Sequence, residues 1–343
     1  MYLKIADSLE LDSDSALRYP FIHLRNFFAM RFLCFRTRLV VFSAVFGVLV
    51  IVAMFAPSFD GLRSLLADVR VHATANEILE RRQLVNFTAL LARVNSSITA
   101  SESSSTVESI FRPMMRDEEK VLLHDLVVVL VDALERIRVT YFMYGGTLIG
   151  SYRHHGLVPW DDDVDLFVDA AGAPRLLSEL TTMAPAYQLT RVAEYCWKFY
   201  SIYSTPVISG EYFVRFPLVD VMFYEYDANT LWDVSFPVFS ATFRSPLSLI
   251  FPLVRRPFWD LLLYAPRYSA KYLHINYNVD DCITNSLSHR SATPLTSFVE
   301  NCSALWSVYP FVFRNSSADG DFVNETLRLG TESLGWFTQR VLR

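Results

Sequence analysis

The chain has 343 residues, more than one typical domain needs, and is 52% hydrophobic and 15% aromatic, with a mean hydropathy of +0.24. That balance excludes a disordered polymer and exceeds what an ordinary soluble enzyme carries, so part of the chain is expected in lipid. Thirty-one basic against 36 acidic residues give a net charge of −5, without the basic excess by which nucleic-acid binders displace counterions, so no nucleic-acid partner is expected. Four cysteines with no C-x-x-C pair exclude a disulfide-built scaffold and argue against structural zinc.

The first expected element is an uncharged apolar run from Leu39 to Ala56, closed by Pro57. As a helix it covers about 27 Å, close to a thin hydrocarbon layer, whereas a buried core helix would show a polar stripe. Arg25, Arg31, Arg36 and Arg38 precede it closely, and only Arg63 and Arg70 follow within a similar distance. The basic side stays in the cytoplasm, which predicts a single-pass type II protein: tail 1–38, transmembrane helix 39–56, and a lumenal remainder in the Golgi or ER. The five N-x-S/T sequons, at Asn86, Asn95, Asn301, Asn315 and Asn324, all fall on that lumenal side. Cys196, Cys282 and Cys302 are odd in number there, so one pair and one free thiol is the simplest bookkeeping, with Cys282 and Cys302 as the expected pair.

Residues 57–112 read as a stem followed by a serine-rich linker, and 113–343 as a catalytic domain. Three acids lead and two arginines close the stretch DEEKVLLHDLVVVLVDALERIR, which predicts a core helix over about 117–137. TYFMY at 140–144 is β-prone, and Gly145-Gly146 ends it. A strand over 163–168 then sets Asp163 and Asp165 on one face. Two carboxylates so placed repel unless a cation sits between them, and an all-oxygen set suits Mg²⁺ or Mn²⁺. Asp220 is embedded in the apolar run LVDVMF, where an unpartnered charge is costly.

Glycine turn, Asp-x-Asp strand and lone Asp strand together have the layout of the nucleotidyltransferase fold, an α/β (α+β) mixed sheet flanked by helices. Its logic is phosphoryl transfer: backbone N–H groups at a helix N-terminus meet phosphate, and three acids hold the metal. The local wording, YGGTLIGSYRHHGLVPWDDDVDLFV followed by VDVMFYE, resembles the LicD family, which includes bacterial phosphocholine transferases and the fukutin and fukutin-related proteins. The resemblance implies a CDP-alcohol donor, transfer of its phospho-alcohol (phosphocholine or ribitol phosphate, for example) to a glycan acceptor, and motif matches at Gly145, Gly146, Thr147, Arg153, Trp160, Asp163, Asp165 and Asp220.

Each residue also has a plainer reading. Arg153 reads equally as a phosphate ligand and as a partner of the aspartates, and Lys198 as a donor-diphosphate contact and as a snorkelling lysine. Asp161 and Asp162 read as supporting or exposed, His154 and His155 as exposed loop residues, Trp160 as packing. Arg255-Arg256 with the aromatics of 258–272 reads either as an acceptor groove or as a hydrophobic satellite. Two other functions compete: a glycosyltransferase using its Asp-x-Asp with a nucleotide sugar, and a non-catalytic adaptor. The first expects a Rossmann-like half ahead of the motif, for which the sequence leaves little room; the second expects carboxylates that do not converge.

Overall fold

The computed structural model describes residues 82–100, 106–209, 212–236 and 238–341. The expected tail, transmembrane run and residues 57–81 lie outside the described residues. Among the described residues no helix is long and apolar enough to cross a membrane.

Helix α1, Phe87–Ala100, starts where the Asn86 side-chain oxygen accepts the Ala89 N–H. It buries Phe87, Leu90 and Val94 at helical spacing. Just before it, Arg82 and Gln83 pair with Phe337 and Trp336. Residues 82–100, expected as stem and linker, are thus built into the folded domain, because an amphipathic stripe of this kind stays folded only when another surface covers it.

Helix α2, Asp117–Arg136, carries three acids in its first turn and Arg136 in its last, matching the helix dipole. Glu119 reaches back to the Arg116 N–H at 2.8 Å. Leu123, Leu126, Val127, Leu130, Ala133 and Leu134 are buried, so its apolar stretch is core, packed on two strands of the main sheet.

That sheet is mixed and has seven strands. Strand β1, Tyr141–Met143, leads directly into helix α3, Gly145–His154. Strand β2, Val164–Asp169, and helix α4, Ala173–Thr181, follow. Then come β3, Tyr187–Ala193; β4, Cys196–Ser201; β5, Val219–Tyr226; β6, Thr230–Asp233; and β7, Arg244–Pro246. Strand β2 lies between β1, antiparallel, and β5, parallel. The other edge of β5 is divided, pairing with β4 along its first half and with β6 along its second. Strands β2 and β5, covered on both faces, read as near-continuous apolar runs broken by aspartate, as buried parallel strands do.

Beyond the sheet, β8 (Val254–Phe258) and β9 (Leu261–Ala265) form a hairpin, followed by helix α5, Ser269–Asn276. Cys282 and Cys302 are disulfide-bonded, and Cys196 is free and buried, as the bookkeeping expects. Strands β10 (Phe311–Ser316), β11 (Phe322–Leu329) and β12 (Glu332–Arg340) form an antiparallel sheet. Its inner face holds a buried ion cluster. The Glu325 carboxylate accepts from Arg256 at 2.8 and 3.0 Å, from Arg314 and from His155. His155 is therefore not an exposed loop residue, nor is His154, buried with its Nδ1 2.6 Å from the Pro310 carbonyl. Arg256 is committed to this cluster. Arg255 bonds Glu135 and lies over the Tyr264 ring, so neither arginine lines an open groove.

Candidate active site

The parallel pairing of β2 and β5 puts Asp165 directly opposite Asp220, and the antiparallel pairing of β4 puts Lys198 opposite Asp220 on its other side. Side chains paired in register share a face, so two acids and a lysine line up across three strands. Asp163, two residues before Asp165, joins that face. Carboxylate oxygens of Asp163, Asp165 and Asp220 all lie within 4.8 Å of one another. The convergence that a non-catalytic adaptor would lack is present.

The turn at 144–147 is fitted to these acids. Gly145 has φ +51°, a backbone region that glycine enters without cost. A Cβ there would stand 3.0 Å from an Asp165 carboxylate oxygen, and one on Gly146 would stand 2.6 Å from Asp161 Oδ2. The two glycines are small because carboxylates occupy the space a side chain would fill. The Thr147 hydroxyl is buried and accepts the Asp165 N–H at 2.7 Å, so its oxygen braces the acidic strand.

Burial and neighbouring negative charge govern the protonation of the trio. Burial, with Asp165, Asp161 and Asp220 adding to it, pushes Asp163 well above the usual carboxylate range against the pull of His289. Asp165 is raised to about 8 by burial and by Asp220 and Asp161. Asp220 gives one oxygen to Lys198 Nζ at 2.5 Å, while its Oδ1 is buried without a hydrogen-bond partner. Repelling carboxylates and an orphaned buried oxygen are what a hard divalent cation relieves, so the donor set fits Mg²⁺ or Mn²⁺.

A segment that sequence reasoning left unassigned completes the site. Inside the ring closed by Cys282–Cys302, Asn285 donates to Asp161 Oδ1 at 2.7 Å. His289 bonds Asp162 through both its backbone N–H and its Nδ1, and its Nε2 lies 3.3 Å from Asp163. Burial pulls His289 down, but Asp163 and Asp162 override it and raise the imidazole to about 10. Asp161 and Asp162 are buried and held, not exposed.

Other expected residues are placed differently. Arg153 turns its Nη1 to the Asp281 and Val279 carbonyls and to Cys302 Sγ, so it braces the disulfide-closed segment instead of presenting that group to phosphate. Lys198 is paired with Asp220. Trp160 is buried against Phe111 and Tyr309, donating to the Ile283 carbonyl, and is packing as expected.

Fold and site define an α/β domain whose two central parallel strands deliver a carboxylate trio beneath a glycine turn. Residues 138–268 match the family model described as LicD/FKTN/FKRP, nucleotidyltransferase domain. A stretch of 34 residues is 53% identical to lipopolysaccharide cholinephosphotransferase LicD of Haemophilus influenzae, covering 10% of this chain and 13% of that relative. The chain thus shares with that protein a segment, not its whole length.

Proposed function

We propose that this protein is a type II membrane phosphotransferase of the Golgi or ER, of the fukutin-related kind, that moves a phospho-alcohol from a CDP-activated donor to a glycan. The observation that carries the reading is the carboxylate trio with an unpartnered Asp220 oxygen, inside the segment that matches the LicD model. Bound Mg²⁺ or Mn²⁺ would neutralise charge on the donor diphosphate. Asp163, Asp165 and Asp220 would hold it, with Asp161, Asp162, Asn285 and His289 fixing the turn from which Asp163 projects. The N-terminus of α3 at Gly145 and Gly146 offers backbone N–H groups to a donor phosphate.

The test is turnover by the full chain in detergent with CDP-choline, CDP-ribitol, CDP-glycerol and nucleotide sugars, with and without Mg²⁺ or Mn²⁺, beside an Asp163→Asn variant. Metal-dependent release of CMP from one CDP-alcohol, reduced at least about 100-fold in the variant, is expected. Turnover of a nucleotide sugar alone would transfer the site to glycosyl chemistry. One observation favours a non-catalytic reading: Lys198 Nζ already neutralises Asp220, where a metal would compete with it. Failure of the full chain to bind Mn²⁺ would decide for that reading.

A further inference from the structure

The outer face of the β10–β12 sheet carries aromatic rings that remain partly in solvent, although Phe313 leans on the core and the Trp336 indole donates to Gln83. Trp306 is 45% exposed and Trp336 37% exposed, and the Trp306 and Phe313 rings meet edge to face. Large exposed aromatics grouped on one sheet face call for an explanation. The strand register supplies one. Asn315 pairs directly with Asn324, and Asn324 with Thr338, so the three form one row. The adjacent row on the same face is Phe313, Thr326 and Trp336. On the other side Phe322, two residues before Asn324, shares its face. Both asparagines are exposed. Each belongs to a sequon with phenylalanine two residues before the asparagine: Phe313-Arg314-Asn315-Ser316-Ser317 and Phe322-Val323-Asn324-Glu325-Thr326. On β11 that spacing puts ring, amide and the Thr326 hydroxyl side by side, whereas Ser317 lies past the end of β10 and turns its hydroxyl to Asp319 and the Phe322 carbonyl.

We propose that this face is glycan-bearing, with N-linked sugar at Asn324 and at Asn315 whose first residue packs its apolar side against Phe322, Phe313 and Trp336. The proposal rests on the lumenal location argued above. In the transfer, the asparagine Nδ2 forms a bond to the anomeric carbon of a lipid-pyrophosphate-linked oligosaccharide. The lipid pyrophosphate leaves, and the amide gives up one proton and keeps one N–H. The Thr338 hydroxyl donates to Asn324 Oδ1 at 2.8 Å, a bond that leaves Nδ2 to the sugar. Burying ring surface beneath the sugar removes apolar area from water. Asn95 contrasts with this pair: half-buried on α1, its Nδ2 donates to Asp117 Oδ2 at 2.5 Å, a bond that a glycan would displace. Asn86 and Asn301 are exposed but have Leu84 and Val299 at the position where the other two have phenylalanine.

The experiment uses the full chain made in a eukaryotic secretory cell. Peptide-N-glycosidase in heavy-oxygen water converts each occupied asparagine to labelled aspartate, read by peptide mass mapping. Label at Asn324 and Asn315, fuller at Asn324, and none at Asn95 is expected. Glycan removal is expected to lower Tm by about 2–4 °C in the unsubstituted chain and to leave Tm unchanged in a Phe322→Ala variant. Label at Asn86 or Asn301 with none at Asn324 overturns the proposal while leaving the lumenal location standing. No label at any sequon, with the domain open to protease in intact microsomes, overturns the location and the proposal with it. An equal Tm loss in the Phe322→Ala variant overturns the packing of sugar on the ring.

Discussion

Replacing Cys282 and Cys302 together by serine opens the ring that holds the acidic turn in place. The cysteines are 20 residues apart, and loop-closure entropy for a ring of that size gives about 3 kcal/mol. At about 2–4 °C per kcal/mol for a domain of this size, Tm is expected to fall by about 6–12 °C. Anchors that need no sulfur remain: Arg153 on the Asp281 carbonyl, Trp160 on the Ile283 carbonyl and Arg290 on Glu119. The variant therefore folds, but Asn285 and His289 hold Asp161, Asp162 and Asp163 less firmly. Loosening of such supporting groups typically costs 10–100-fold in metal affinity or activity, and a loss in that range is expected for Mn²⁺ binding and for CDP-alcohol turnover. Thermal unfolding and turnover are measured for both proteins with and without reductant. The unsubstituted chain in reductant should approach the variant, and the variant should not respond to reductant. A variant that unfolds within about 2 °C of the unsubstituted chain and keeps full turnover would refute the assignment of the ring as support for the site.

Gly146→Ala drives a methyl group against the Asp161 carboxylate, which Asn285 and the Asp162 N–H hold from the other oxygen. Misplacement on that scale is expected to lower turnover on the order of 100-fold, with Tm reported in parallel; unchanged turnover would show that Asp161 does not set the site. Burial raises the Glu325 carboxyl, but the Arg256 and Arg314 guanidiniums override it and hold it far below its ordinary 4.5. Its folded pKa being the lower one, its stabilisation is complete above that ordinary value and drains away as pH falls toward the depressed one. Glu325→Gln should cost about 3–5 kcal/mol at neutral pH and flatten the acid side of the Tm–pH curve; parallel curves would contradict the ion cluster. The Cys196 thiol is pushed up to about 12, chiefly by burial, so iodoacetamide at mildly alkaline pH should alkylate it only after unfolding. Equal labelling of the native protein would mean that β4 is not packed as described.

The acidic half of the site was legible because its information is local. Gly145, Gly146, Asp163, Asp165 and the apolar frame around Asp220 lie on short strands and a turn whose side-chain directions follow from period-two geometry. In-register pairing of β2 with β5 then brings Asp165 and Asp220 together. The supporting half was hidden for the opposite reason. Asn285 and His289 reach the acids from more than a hundred residues away, in a polar loop with no periodicity to mark it. The direction of Arg153 depends on carbonyls in that same loop and carries no local signature. Helix α1 left a signal, since Phe87, Leu90 and Val94 repeat at helical spacing. The sequence contains no sign of the surface they cover, so residues 57–94 read as a stem helix and only the serine-rich stretch 95–109 as linker.

The pairing of Arg82–Gln83 with β12 has a temporal consequence. Gln83 and the Trp336 indole that donates to it are 253 positions apart, so at about 5–20 residues per second the first strand waits about 13–50 s for its partner to be synthesised. For nearly all of that interval β10, β11 and β12 have not been made, so the backbone groups of Arg82 and Gln83 stay unpaired, the kind of exposed edge that chaperones guard. Asn315 and Asn324 lie on β10 and β11, but Trp336 and Thr338, which complete the rows around them, lie on β12 itself. The strand that latches residues 82–83 to the sheet is thus also the strand that completes its asparagine-bearing face.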